Sequence, residues 1–296
     1  MIEFIKNGLE NLTSNASWID ETARMSLIKT ARKMKFLSGY NPKVRDIQYV
    51  NEYYKFIPKL TNDSNLNVLY ISFIRNFIRF SRMNALVNRT SWPDYSITNV
   101  RIYKEENENV IVIPACMLQN PLFETDVPRY MNYASLGILI SREIILALFE
   151  KGSTRDKNGV LRDWWTNKSK EQFRMKLRCF MKYNSLNIAV EKEEIIPKEL
   201  HKMTIVDNMA ITLAYRAYQI WEERNGKEKI LPRLDNFTIL QLFFLSYTNL
   251  WCDAVDRSLE RYSVNLSFNN MEEFSEVFNC TEGPVKNQSG KCNLWK

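Results

Sequence analysis

The sequence predicts a mainly α-helical fold with a small β element, which places it in the α+β class. Apolar residues recur at helical spacing along most of the chain, whereas only two short segments near its middle are rich in β-branched residues. The composition, with 45% hydrophobic and 25% charged residues among 296, is ordinary for a globular chain of one or two domains. It excludes disordered and collagen-like classes, because the chain has only 8 glycines and 9 prolines.

The first 90 residues are predicted to be helical. Asp20 is a suitable N-cap for an amphipathic helix that runs to about residue 37, and Gly39 is its predicted stop. A second long helix is predicted from about Leu66 to Val87, and the Ser-Trp-Pro sequence at 91–93 breaks its pattern.

The middle of the chain predicts the β element. Two β-rich runs, 97–103 and 110–113, flank the polar segment 105–109, which is typical of a hairpin. A largely buried helix is predicted at 131–149. The remaining predicted helices lie at about 168–184, 204–224 and 236–252, followed by a loop-like tail with one short helix at 272–278.

The charge pattern does not indicate a nucleic-acid partner. The net charge is +7, but basic residues are scattered among acidic ones, which favours a mixed solvated surface over a basic patch. The most apolar run, 136–149, contains Arg142 and Glu143 and is too short to cross a bilayer of about 30 Å. No membrane span is therefore predicted.

Asparagines give the clue to compartment. Sequons for N-glycosylation begin at nine asparagines, more than chance gives for this composition, which favours a secretory lineage. The N-terminus does not resemble a signal peptide, because charges interrupt its apolar residues. The expectation is that the chain is a fragment of a longer protein or has lost its targeting segment.

Seven blocks, in order, carry a family resemblance: IVIPACMLQNPLF (111–123), MNYASLGILISREII, DKNGVLRDWW, VDNMAITLAYRAY, FFLSYTNLWC, EEFSEVFNC and KCNLW. Together they resemble the C-terminal peptidase region of the neprilysin family of zinc metalloendopeptidases. The resemblance implies a relative of the thermolysin-like zincins, with the β element at the edge of the cleft. It implies that residues 1–95 match the end of the family's N-terminal lobe and 96–296 its peptidase domain. It also implies an extracellular or membrane-associated location.

The zinc ligands of that family are replaced in this sequence. The family holds zinc with two histidines one helical turn apart and a glutamate from a second helix. The resemblance places these ligands at Arg142, Leu146 and Met203. Guanidinium and aliphatic groups cannot bind a cation, a thioether suits zinc poorly, and the single histidine, His201, cannot supply a three-ligand site. No cofactor is therefore predicted, although the family uses zinc.

The residues that support catalysis in the family are also changed. By the resemblance, Phe149 stands where an aspartate orients a zinc ligand, Arg257 replaces the proton-donating histidine, and Ser263 stands at the arginine that binds the substrate carboxylate. The substrate clamp falls on Arg101 and Ile102 in place of asparagine and alanine.

Two acids of the family site are retained. Glu143 stands at the general base and Asp207 beside the third ligand. Glu143 is interpreted as inherited and non-functional, since a metal is needed to bring water's pKa near neutral. The sequence suggests the hypothesis that Arg142 pairs with Asp207 in place of the metal, with Arg257 as a further member of the cluster. The alternative is that these arginines extend into water.

The resemblance also assigns the cysteines. It implies a disulfide between Cys179 and Cys292, whereas the family partners of Cys252 and Cys280 lie in a segment that this sequence does not contain. Cys252 and Cys280 could bond each other, bond another chain or stay reduced. Cys116 is interpreted as a small buried apolar residue.

The function predicted from the sequence is a neprilysin-like pseudopeptidase that binds peptides or a neprilysin-like partner. One alternative is an active zinc metalloendopeptidase that cleaves small peptides, which would need a zinc site built from other residues. Another is a degraded gene copy or an incomplete gene model.

Overall fold

The fold is seen in a computed structural model. It describes residues 1–81, 83, 97–105, 109–150, 156, 158, 160, 163–189, 198–252, 258–280 and 291–296, of which residues 105, 150, 184–189, 198–201 and 258–263 are described by their backbone alone.

Helices make up most of the described structure. In chain order they are α1 (Ile2–Asn15), α2 (Glu21–Lys33), α3 (Ile47–Tyr54), α4 (Ser64–Ser81), α5 (Arg129–Asn132), α6 (Ile138–Ile145), α7 (Asn167–Ala189), α8 (Lys198–Asn225), α9 (Ile239–Asn249), α10 (Ser258–Asn269) and α11 (Glu272–Val277). A single buried core joins α1 and α2 to the helices of the later part of the chain. The predicted mainly α class is confirmed.

The β element is a three-stranded sheet in the order β1-β3-β2. Its strands are β1 (Lys35–Gly39), β2 (Tyr103–Glu105) and β3 (Val110–Pro114). β3 is wholly buried, and it pairs in parallel with β1 and antiparallel with β2. The predicted hairpin is therefore confirmed as β2–β3, with residues 106–108 outside the described part.

The strand β1 corrects the sequence prediction. We expected the helix from Glu21 to continue to about residue 37, but α2 ends at Lys33 and Lys35 begins the strand. The reason is tertiary, because β3 offers a buried edge some 75 residues away with which Lys35–Gly39 pairs in register. Gly39, at φ +82°, ends a strand and not a helix.

The predicted strand at 97–103 was also wrong over most of its length. Only its last residue, Tyr103, enters β2, and residues 97–101 form a turn and bend. The carbonyl of Ile97 accepts a hydrogen bond from the backbone N–H of Cys116 at 3.1 Å, so this segment folds against the turn after β3. Both edges of β3 are already taken by β1 and β2.

The tail contains a helix that the sequence did not predict. α10 alternates apolar and polar residues, with Val264, Leu266 and Phe268 two apart, and is rich in serine and asparagine. It is stabilised against α8, where the amide of Asn208 donates to the carbonyl of Ser267 at 3.0 Å. Buried polar residues of this helix thus find partners that only the folded chain supplies.

The predicted buried helix at 131–149 is confirmed as a helical segment from Arg129 to Glu150. Two π-helical turns, Tyr133–Gly137 and Leu146–Glu150, flank α6. Residues Arg129–Phe149 are long and apolar enough to span a membrane by length and composition alone, but 78% of their most apolar window is buried in the fold. That burial is typical of a core helix.

The side chain of Asp20 joins the beginnings of two helices. It caps α2 by accepting from the N–H of Ala23 at 3.1 Å, and it also accepts from the hydroxyls of Ser169 and Thr166. Thr166 in turn accepts from the N–H of Ser169 at the start of α7. Burial raises the pKa of Asp20, but hydrogen bonds from Ser169, Thr166 and the backbone have a larger effect in the opposite direction, so the pKa is lowered to about 2.

We expect Asp20→Ala to destabilise the protein by about 1–2 kcal/mol at pH 7, since a helix cap and two further hydrogen bonds are lost. A carboxyl whose pKa falls from 3.8 to about 2 on folding stabilises the folded state above pH 4, and this contribution is lost as pH falls from about 4 to 2. We therefore expect the difference in free energy of unfolding between wild type and Asp20→Ala, measured by urea unfolding from pH 7 to pH 3, to become smaller below pH 4. If this difference in free energy did not change with pH, the negative charge of Asp20 would not be stabilising the contact between the starts of α2 and α7.

Candidate functional site

The candidate site lies where α6 packs against α8. Arg142 on α6 and Asp207 on α8 form an ion pair, with Arg142 Nε 3.1 Å from Asp207 Oδ1. The Asp207 side chain is 2% exposed and that of Arg142 is 18% exposed, so water screens the pair weakly. The hypothesis that Arg142 pairs with Asp207 is confirmed, and the alternative that Arg142 extends into water is wrong.

Glu143, the next residue on α6, is surrounded by positive charge. Burial raises the pKa of its carboxyl, while the charges of Arg142, Arg101 and Lys104 oppose that rise. Lys104 is fixed near α6 because its Nζ donates to the carbonyl of Ala147 at 3.4 Å. Three cations thus lie around one partly buried carboxyl group at this end of the sheet.

The sequence did not identify Tyr247 as part of this site. It lies on α9, is 1% exposed, and its pKa is raised well above the ordinary value, first by burial and then by the negative charge of Asp207. The charge of Arg142 acts in the opposite direction. Tyr247 lies within the block FFLSYTNLWC, which contributes to the family resemblance. Nothing in that block indicates that Tyr247 lies near α6 and α8.

The three positions at which the resemblance places zinc ligands do not form a metal site. The guanidinium of Arg142 is paired with Asp207, Leu146 packs against the core, and Met203 is 44% exposed. Over the described residues, no group of three or more His, Cys, Asp or Glu could hold a metal ion. The donor chemistry of these side chains therefore does not fit the tetrahedral N, O and S coordination that zinc takes.

Phe149, at the position of a polar partner in the family, is part of an aromatic cluster. Its ring lies edge-on to Trp165 at 5.7 Å and to Trp295 at 5.8 Å, and it also contacts Phe173 at 5.7 Å. Trp18 completes the cluster through Trp165 and Phe173. Such packing stabilises the fold but supplies no acceptor that could orient a metal ligand.

The positions of the substrate clamp lie beside the sheet. Ile102 is buried in the core and Arg101 is exposed, immediately before β2. Arg257 lies outside the described residues, and so do the side chains of His201 and Ser263. The participation of Arg257 in the Arg142–Asp207 cluster stays a prediction.

The disulfide that the resemblance implies is present. Cys179 on α7 is bonded to Cys292 in the C-terminal segment. The same segment is held by the indole N–H of Trp18, which donates to the carbonyl of Leu294 at 2.7 Å. Cys252 is exposed. Cys116 is only partly buried, so the interpretation of Cys116 as a small buried apolar residue is confirmed only in part.

A cavity of about 460 Å³ lies away from the Arg142–Asp207 pair, between α5 and α9. Its walls include Tyr130, Met131, Leu242 and Leu245. One of its polar side chains, Asn132, is already used within the fold, since its amide donates to the carbonyl of Glu124 at 2.6 Å. Neither Arg142 nor Asp207 lines it.

The comparisons with known proteins agree on one family. The sequence pattern of peptidase family M13 matches residues 101–294. The endothelin-converting enzyme homolog of Locusta migratoria is 30% identical over 307 residues, which cover 100% of this chain and 42% of that protein. Endothelin-converting enzyme 1 of Rattus norvegicus is 32% identical over 311 residues, covering 98% and 39%. The chain thus spans about two fifths of the length of these relatives.

Solved structures show the same fold. The zinc metalloprotease ZMP1 of Mycobacterium tuberculosis, in complex with an inhibitor, matches with a TM-score of 0.77 at 20% identity, covering 100% of this chain and 46% of that one. A solved structure of a Haemonchus galactose containing glycoprotein complex matches with a TM-score of 0.84 at 22% identity, covering 99% of this chain and 48% of that one. The predicted fold class, a relative of the zincins, is confirmed.

Proposed function

The chain belongs to peptidase family M13, as a counterpart of the C-terminal region of its neprilysin and endothelin-converting enzyme members, and from that premise we propose that it is a pseudopeptidase. In this proposal it has lost zinc binding and peptide hydrolysis and retains the binding of peptides or of a neprilysin-like partner. Its location is extracellular or membrane-associated, as the family resemblance implies.

One observation carries the proposal. The guanidinium of Arg142, at the position that the resemblance gives to the first zinc ligand, is paired with Asp207 at 3.1 Å. A permanent positive charge at that position opposes the binding of Zn²⁺, because it repels the ion and because it already pairs with the carboxylate of Asp207. Leu146 and Met203 stand at the other two ligand positions, and neither supplies the imidazole or carboxylate that binds zinc in the family.

The retained Glu143 does not restore catalysis in this proposal. Bulk water has a pKa of about 15.7, and a carboxylate alone cannot deprotonate it at a useful rate without a metal to lower that value. Burial raises the pKa of the Glu143 carboxyl and so makes it a stronger base, but it does not lower the pKa of the water that Glu143 would have to deprotonate.

Support for a retained binding role comes from the sheet. β2 is one of its two outer strands, and an outer strand can accept an extended peptide through backbone hydrogen bonds. At the clamp positions the family's neutral asparagine is replaced by the exposed Arg101, and Lys104 follows three residues later. These positive charges favour ligands that carry acidic groups near this strand.

The proposal is tested by zinc content and hydrolysis together. We expect purified, folded protein dialysed from zinc-containing buffer to hold well below one zinc per chain by elemental mass spectrometry. It should leave a fluorogenic peptide uncleaved. The variant Arg142→His/Leu146→His/Met203→Glu should hold close to one zinc per chain, since it restores the donors that the resemblance places there. Far-ultraviolet circular dichroism verifies that each protein is folded.

Glu143→Gln is the matched control, and it should change neither zinc content nor the absence of hydrolysis. One tightly held zinc in the wild type, with cleavage that Glu143→Gln abolishes, would overturn the proposal in favour of an active metalloendopeptidase. A folded triple variant that takes up no zinc would instead show that Arg142, Leu146 and Met203 are not the ligand positions.

A further inference from the structure

α4 presents an uncovered apolar stripe. Leu69, Phe73, Phe77 and Phe80 follow one another at spacings of four, four and three residues, so they lie within about 80° on one side of the helix. Their exposed fractions range from 52% to 73%, and Ile74, on another side, is the one buried residue of this fully described helix. Large aromatic side chains in such a row are rarely left in water without a binding role.

The loop before α4 extends the stripe. Phe56, also more than half exposed, contacts Phe77 edge-on with ring centroids 6.1 Å apart. Lys55 Nζ lies 4.9 Å from the centre of the Phe56 ring. An aromatic surface and a positive charge therefore meet at one end of the helix.

The charge around the stripe is predominantly positive. α4 contains Arg75 and Arg79 and no acidic residue, and Lys55 and Lys59 precede it. Glu52 and Lys55 pair with each other, so their charges cancel. Three cations, Lys59, Arg75 and Arg79, then stand against one acid, Asp63, which caps the first turn of α4 by accepting from the N–H of Asn65 at 2.9 Å. Cations thus lie towards both ends of α4, whose apolar row from Leu69 to Phe80 is about 17 Å long at 1.5 Å per residue.

We propose that the stripe formed by Phe56, Leu69, Phe73, Phe77 and Phe80 docks on an anionic lipid surface, with α4 lying in the plane of the membrane interface. Phenylalanine rings insert at the boundary of headgroups and acyl chains, and lysine and arginine pair with anionic headgroups around them. The stripe projects outward, which suits a deformable lipid surface. The charge disfavours a second copy of this chain, because two α4 helices would bring arginines together with no acid on either helix.

Flotation with lipid vesicles tests this. We expect the wild type to float with vesicles of 70% phosphatidylcholine and 30% phosphatidylserine, and far less with pure phosphatidylcholine. Each basic residue near an anionic surface strengthens binding about fivefold, so Lys59→Gln/Arg79→Gln should weaken it about 25-fold. Phe73→Ser/Phe77→Ser should weaken it at least tenfold, because the inserted apolar area is lost.

Matched controls lie on other helices. Arg174→Gln/Lys182→Gln removes two exposed charges from α7, and Leu245→Ser removes an exposed apolar side chain from α9. Both should bind within about twofold of wild type. Since the changed residues are all exposed, circular dichroism should show every variant folded.

Three outcomes would overturn the proposal: no binding to anionic vesicles, equal binding to both vesicle types, or binding that Phe73→Ser/Phe77→Ser leaves intact. If light scattering showed a dimer that this variant dissociates, while vesicles stayed unbound, the stripe would be an interface between copies or with another protein. The zinc content and hydrolysis measured above do not enter this test, so the two proposals fail independently.

Discussion

Arg142→Ala is expected to destabilise the protein by about 3–5 kcal/mol, because it removes the guanidinium that pairs with the buried carboxylate of Asp207. The Asp207 side chain is 2% exposed, so water cannot readily replace the guanidinium that lies 3.1 Å away. The nearby Tyr247 hydroxyl does not offer a second positive charge. Urea unfolding followed by circular dichroism at pH 7 measures the change in free energy of unfolding.

Two controls separate the ion pair from ordinary truncation. Lys296→Ala breaks an exposed pair with Glu272, at 2.9 Å, and should cost less than about 1 kcal/mol. Arg142→Met/Asp207→Leu removes both charges while keeping much of the volume, and should recover most of the loss. If Arg142→Ala cost no more than Lys296→Ala, the pair would not be holding α6 to α8.

Cys179→Ser/Cys292→Ser is expected to lower the free energy of unfolding by about 3–5 kcal/mol. The disulfide joins residues 113 apart, and the entropy of closing a loop of that size corresponds to about 5 kcal/mol in the unfolded chain. Hydrogen bonds keep part of the C-terminal segment docked without it, since Lys176 Nζ donates to the carbonyls of Asn293 at 3.0 Å and Lys296 at 2.8 Å. We therefore expect a folded but much less stable protein.

The reductant provides an internal control for this prediction. Wild type unfolded in the presence of dithiothreitol should match the double variant, and the double variant itself should not respond to dithiothreitol. Cys252→Ser, at an exposed thiol outside the bond, should change stability by less than about 0.5 kcal/mol. A loss below 1 kcal/mol in the double variant would mean that the docked segment, and not the covalent bond, fixes the C-terminus.

The sequence alone was sufficient to predict features that depend on neighbouring residues or on the order of motifs along the chain. Helix positions followed from apolar spacing and caps, as with Asp20 before α2 and the 129–150 segment. The family followed from ordered blocks, and so did the pairing of Cys179 with Cys292. The replacement of the ligand residues could also be seen directly, because it concerns residue identity and not geometry.

Tertiary structure decided what depends on contacts between distant segments. Residues Lys35–Gly39 became a strand because β3 is there to pair with, and α10 became a helix because α8 satisfies its buried polar groups. The Arg142–Asp207 hypothesis could be decided only by the distance and burial of the two side chains in the folded chain, since the sequence was equally compatible with an arginine that extends into water. Tyr247 beside that pair and the exposed stripe on α4 were invisible beforehand, because periodicity marks an apolar face without saying what covers it.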